Sequence, residues 1–301
     1  MPVVVCYTGY RMNLSDKLKA EIRERLSIII KNVECLSGGC ISEAYKIKSE
    51  EGKNFFLKVS ESSPPDMFIT EAHGLDELRK AEAIRVPEVK LFSQNYIVTE
   101  FIETGMESRN SFRDFGRNLA MVHRHKGRSF GFYEDNYIGS SPQKNIADGK
   151  EGKNWIEFYF NNRLLFQLKL CEKNGYATSE LIKYFKQLEN KIEEILRGSE
   201  EEPSLLHGDL WSGNYLIDEN GNACAIDPAV YYGHREADLA MTRLFGGYPE
   251  EFYKSYDEYY PLKEGWKYRE NIYKLYHVLN HLNLFGRSYY SQTVSLLRYY
   301  F

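Results

Sequence analysis

The sequence predicts an α+β chain in two lobes: a small antiparallel-sheet lobe, then a larger, mainly helical one. Three observations carry that prediction. The first hundred residues string short β-branched and aromatic runs between Gly- and Pro-marked turns. Beyond Glu103-Thr104-Gly105 the apolar period changes to that of amphipathic helices. A length of 301 residues suits two core-bearing units of ~150 residues each.

The elements follow in order. Residues 15–30 carry Leu18, Ile22, Leu26 and Ile29 at the spacing of one helix face, with Ser15 as a cap. Residues 33–36, the turn Ser37-Gly38-Gly39-Cys40 and residues 44–47 read as strand, Gly-rich turn, strand. Residues 54–59 form a third strand, entered near Gly52. After Pro64-Pro65, residues 66–83 read as a helix bearing Met67, Glu71, Leu75 and Leu78. Residues 86–89 and 96–99 are two further short strands. The lobes divide at 1–103 and 104–301. Helices are expected at 111–125, 155–171 and 181–196, strand-like runs between 205 and 227, and a Tyr-rich helical tail beyond Pro249.

Composition narrows the function. The net charge of −4 provides no basic surface for nucleic acid. No apolar run reaches the ~18–20 residues that span a bilayer. Five cysteines without a CxxC pair favour neither a disulfide framework nor a zinc ribbon. The apolar stretch at 3–7 has no basic segment before it, so no signal peptide is expected; Met12 is an alternative start. A cytoplasmic protein without membrane or nucleic-acid partners is expected, as a monomer or homodimer.

The chemistry concentrates in His207-Gly208-Asp209-Leu210-Trp211-Ser212-Gly213-Asn214. It spells H-x-D, four residues, then Asn, the spacing of a kinase catalytic loop. One carboxylate, Asp209, must meet the hydroxyl being phosphorylated. Asn214 must reach a Mg²⁺ on the phosphates, and Asp227, one hairpin later, supplies the second hard oxygen ligand. Upstream, Lys58 on the third strand suits the α- and β-phosphates of ATP, and Glu71 on the next helix can hold its ammonium. Gly38 and Gly39 can bring backbone N–H groups to the phosphates. Backbone groups of Glu100 and Ile102 are placed for adenine. Each feature alone has a bland reading as turn, edge residue or surface charge; their order on the right elements points to a phosphotransferase. Gly208 in place of Arg, and Asp227-Pro228 in place of a D-F-G, argue against control by loop phosphorylation and for a small acceptor.

The chain resembles the fructosamine kinase (ketosamine kinase) family, within the aminoglycoside-phosphotransferase-like, protein-kinase-like fold. The resemblance rests on HGDLWSGN at 207–214, FG at 130–131 with DNYIG at 135–139, WIEFYFNNRL at 155–164, YGHREADLA at 232–240 and LYHVLNHLNLFG at 275–286. It implies ATP- and Mg²⁺-dependent phosphorylation of the 3-hydroxyl of ketosamines, free or on protein lysines, and so a deglycation activity. It also implies Asp209 as catalytic base, Asn214 and Asp227 on Mg²⁺, and Lys58 with Glu71 at the phosphates. Trp211 either stacks on the sugar or its amine, or packs the loop. Asp238 is expected to bind the catalytic-loop backbone, while Glu236 is open between structure and substrate. His277 and His281, i and i+4 on one helix, are expected near the substrate with Asn280 and Asn283. Cys40, in the Gly-rich turn, is a redox candidate. The rivals are another small-molecule kinase of this fold (aminoglycoside, choline or homoserine type) and a nucleotide-binding pseudokinase scaffold.

Overall fold

The computed structural model describes residues 14–36, 42–147 and 149–301. Helix α1 (Asp16–Leu26) starts at Ser15, whose hydroxyl accepts from the Leu18 N–H at 3.3 Å. It stops earlier than its periodicity predicts, because Ser27 takes the left-handed conformation (φ 53°) and Ile30 opens a strand instead. Strands β1 (Ile30–Leu36), β2 (Glu43–Ser49) and β3 (Asn54–Val59) follow, then α2 (Met67–Arg79), β4 (Val89–Phe92) and β5 (Tyr96–Glu100). They form one antiparallel sheet in the order β1-β2-β3-β5-β4. The fourth strand begins after Pro87 rather than before it. Proline has no N–H for the ladder, so pairing starts beyond it. Ile47, Leu57 and Val98 on the inner face pack with Leu14 and Ile22 into this lobe's core.

The second lobe is built on α3 (Ser111–Arg124), α4 (Trp155–Tyr159), α5 (Phe166–Lys173), α6 (Ser179–Ile195), α7 (Glu236–Thr242), α8 (Glu250–Tyr259), α9 (Trp266–Phe285) and α10 (Tyr290–Arg298). A π-helical turn, Phe160–Leu165, joins α4 to α5, so the expected helix at 155–171 is one run with an internal bulge. Three two-stranded ribbons complete it: β6 (Asn136–Ile138) with β7 (Ser141–Gln143), β8 (Ser204–Leu206) with β11 (Tyr231–Gly233), and β9 (Tyr215–Ile217) with β10 (Ala223–Ala225). Helices α3 and α8 meet at Gly116, where a Cβ would stand 2.1 Å from the Phe252 carbonyl oxygen; only glycine permits that approach. Among the described residues, no helix is long and apolar enough to cross a membrane.

Charge and backbone join the lobes. Arg85, between α2 and β4, reaches Glu100 Oε1 through Nη2 at 2.7 Å and Asp218 Oδ2 through Nη1 at 2.6 Å, with Glu219 at 3.2 Å. Its carbonyl accepts from Ala225, and Gly105 donates to Ile217 at 3.0 Å. The sheet lobe is thus fastened to the β9–β10 ribbon, which leads directly to Asp227.

Candidate active site

Three elements bring three charges together between the lobes. Lys58 on β3 donates to Glu71 Oε1 of α2 at 2.9 Å and to Asp227 Oδ1, after β10, at 2.6 Å. Burial alone would pull the lysine pKa down. Asp227, and then Glu71, outweigh it and lift the value above the ordinary one, so the ammonium keeps its charge at neutral pH. Asp227 itself has φ 55°, a left-handed conformation rare outside glycine and tolerated by Asp and Asn.

The catalytic-loop sequence folds against this triad. Asn214 Nδ2 donates to the Asp209 carbonyl at 2.9 Å and to Asp209 Oδ2 at 3.1 Å. The other carboxylate oxygen, Oδ1, is buried with no hydrogen-bond partner. Burial first, then the negative charge of Asp227, push the Asp209 pKa well above the usual carboxylate range. A carboxylate with an idle oxygen and a raised pKa has the chemistry to accept a proton. Because Asn214 spends its amide N–H on Asp209, its Oδ1 remains as an acceptor. Together with Asp227 that makes a donor set of hard oxygens, which fits Mg²⁺.

The loop is held from behind. Asp238 on α7 accepts from the His207 N–H at 2.7 Å and the Gly208 N–H at 2.8 Å. Buried His123 of α3 sits 3.2 Å from the same carboxylate and 2.8 Å from the Tyr256 hydroxyl. Gly208 (φ 84°) lies so close to Ala229 that a Cβ would stand 1.9 Å from its carbonyl oxygen. Ala229 N–H donates to the His207 carbonyl at 2.8 Å and Ile226 N–H to the Asn214 carbonyl at 3.0 Å, so loop and Asp227 segment are laced together. The Asp238 role follows its expectation; Arg85 and His123 are additions that no local motif signals.

Other expected residues divide. Trp211, half-buried, packs its ring over Gly213 and lies 5.8 Å, edge to face, from Phe245. His281 Nδ1 lies 2.8 Å from the His277 carbonyl, so this helical pair is linked through backbone and does not converge on one point. His277 is buried, its Nδ1 unpartnered, and burial drops its pKa to about 3. Asn280 and Asn283 bind Gln167, and so tie α9 to α5. Glu236 is gripped by Arg269 at 2.6 and 2.8 Å, which gives it a structural part. Glu100 donates its backbone N–H to Glu88, its carbonyl accepts from the Thr99 hydroxyl at 3.1 Å, and its carboxylate holds Arg85; Ile102 is buried just beyond it. Gly38, Gly39 and Cys40 lie outside the described residues.

The profile of the fructosamine kinase family matches residues 13–301. The chain belongs to the fructosamine kinase family. It is 40% identical over 275 residues to the chloroplastic protein-ribulosamine 3-kinase of Oryza sativa subsp. indica, covering 89% of this chain and 78% of that one. A probable ketoamine kinase of Enterococcus faecium is 38% identical over 264 residues, 86% of this chain and 92% of its own. The crystal structure of a candidate fructosamine-3-kinase from Thermobifida fusca superposes with a TM-score of 0.86 at 30% identity, covering 95% of this chain and 99% of that one. Membership makes the chain a phosphotransferase of the ketosamine kinase class, on the two-lobed protein-kinase-like fold.

Proposed function

We propose that the chain transfers the γ-phosphoryl group of ATP to the 3-hydroxyl of a ketosamine, with the nucleotide held between residues 1–103 and 104–301. The observation that carries the reading is the Lys58–Glu71–Asp227 triad beside the Asp209–Asn214 pair. Lys58 offers a fixed positive charge to the phosphates, and Glu71 keeps it aimed. Asn214 and Asp227 would hold Mg²⁺, which when bound neutralises charge on the phosphate oxygens. Asp209 orients the acceptor hydroxyl through its idle oxygen and takes its proton; its raised pKa suits that task. Phosphoryl transfer passes through a loose transition state, so orientation precedes proton removal. Trp211, two residues on, offers an aromatic face to the sugar or its amine. The 3-phosphorylated adduct is unstable and falls away, which amounts to deglycation.

The test is ADP release with MgATP on fructosyl-lysine, ribulosyl-lysine and erythrulosyl-lysine, with an aminoglycoside and choline alongside. Turnover on a ketosamine is expected, and Asp209→Asn should lower kcat by roughly 10²–10⁴. Turnover confined to the aminoglycoside or choline would discard the acceptor. Nucleotide binding without turnover on any acceptor would favour a scaffold.

A further inference from the structure

A row of aromatic rings leaves the catalytic loop and runs outward along α9. Trp211 lies 5.8 Å from Phe245, and Phe245 lies 4.9 Å from the His281 imidazole. His281 in turn is 5.3 Å from Phe285 and 5.1 Å from Tyr289. None of the five is buried; Phe285 is 48% exposed. Tyr273 and Tyr276, on the same helix but turned inward, are 0% and 1% exposed. The row is therefore a face and not a slice of core. Burial outweighs the bond to the His277 carbonyl and leaves His281 with a pKa below its usual value, so the imidazole adds no charge to the row at neutral pH. Beside Phe245, a Cβ built on Gly246 would meet nothing within 4 Å, so the face stands open there.

We infer that this ledge is the bed for the hydrocarbon arm of a lysine-borne ketosamine and for the peptide segment that carries it. The inference rests on the ketosamine reading above. That reading places the sugar's reacting hydroxyl at Asp209, with Trp211 against the sugar or its amine, and says nothing of the far end of the amine. A lysine side chain extends roughly 6 Å from Cα to Nζ by ordinary bond lengths. With the sugar at Trp211, the methylenes cross Phe245, one ring spacing away, and the backbone arrives at His281, Phe285 and Tyr289. Apolar methylenes over ring faces gain contact area and bury no charge, while the ammonium-derived nitrogen stays at the inner end. An adduct of a short amine touches only the innermost ring. The ledge thus discriminates by what the amine belongs to, not by the sugar.

The experiment holds the sugar constant and changes the amine. The value of kcat/KM is measured for the fructosyl adduct of methylamine and for fructosyl-lysine within a Gly-Lys-Gly peptide. The wild type should prefer the peptide adduct. In Phe285→Ser that preference, read as the ratio of the two kcat/KM values, should fall about tenfold, equivalent to about 1.4 kcal/mol. Phe285 is nearly half exposed, so its replacement does not threaten the fold; Tyr289→Ser reads the same contact from the next ring. A wild-type ratio near one, or a ratio unchanged in both variants, overturns the ledge and leaves the kinase reading standing. Wild type silent on both adducts while binding MgATP overturns the kinase reading, and the ledge's occupant with it.

Discussion

Replacing Arg85 with Met should loosen the join between the lobes by an amount the structure lets one work out. Three carboxylates share this one guanidinium, and they differ in exposure. The Asp218 side chain is 2% exposed, Glu100 34% and Glu219 47%. Truncating one partner of a buried pair costs about 3–5 kcal/mol. Asp218 still accepts from the N–H groups of Asn220 at 2.9 Å and Asn222 at 2.8 Å, so the lower end applies, about 3 kcal/mol. Glu100 adds at most about 1 kcal/mol, and Glu219 adds nothing measurable. Arg85→Met should then cost about 3–4 kcal/mol in urea denaturation, or roughly 6–8 °C in Tm for a chain of this size. The double variant Arg85→Met/Asp218→Asn should recover part of the loss, because no buried charge is left without its cation. Working against burial, Arg85 holds the Asp218 pKa below the usual range. Wild-type stability from this pair is present at neutral pH and fades as pH falls through that depressed value; Arg85→Met lacks that contribution, so the gap between the two proteins should narrow toward low pH. A cost below about 1 kcal/mol, or a double variant no better than the single one, would refute the reasoning.

Three other outcomes follow from the site. Gly208→Ala combines a left-handed backbone with a Cβ 1.9 Å from the Ala229 oxygen; it should abolish turnover and cost more than about 2 kcal/mol by denaturant midpoint, and an active variant would be inexplicable. Asp209→Asn should raise the Tm of the ligand-free protein at pH 7. A carboxyl whose folded pKa lies above its unfolded one weakens the fold once pH exceeds the unfolded value, so the gain should vanish toward pH 4. An equal or lower Tm at pH 7 contradicts the burial argument. Asp238→Asn turns an amide N–H toward a backbone N–H of His207 or Gly208, and should cost about 2–4 kcal/mol together with a fall in kcat; full activity would show that the loop holds its shape without it.

What the sequence made legible depended on how local the cause was. Strand β3 falls at 54–59 as read, because its run is bounded by the turn at Gly52 and pairs on both sides. The grouping of Asp209 with Asn214 is legible because both lie on one short loop, and Asp227 joins them one ribbon later. The β6–β7 ribbon is not legible: its three-residue strands carry Asn136, Ser141 and Gln143, and give no apolar alternation. The helical period runs on through Ile29 and Ile30, past the end of α1, while the left-handed Ser27 that breaks it leaves no compositional mark. Arg85 and His123 act through partners more than a hundred residues away, Asp218 and Asp238, and only the folded chain reveals such pairs. Glu236 is open between two parts in the sequence, because the Arg269 that holds it lies 33 residues on.

The left-handed backbone at Asp227 narrows how this chain can drift through mutation. The position asks for two things at once: a residue that tolerates φ 55°, and a carboxylate on a short arm. Asn and Gly meet the first demand and fail the second. Glu keeps the carboxylate but brings a longer arm and a left-handed penalty of roughly 1–2 kcal/mol. Only Asp meets both. Loss of the carboxylate at this codon is therefore free of backbone strain when it proceeds to Asn or Gly and strained when it goes elsewhere. On the proposed reading, a descendant that had given up chemistry and kept this backbone would carry one of those two residues at 227, and one still turning over substrate would carry Asp.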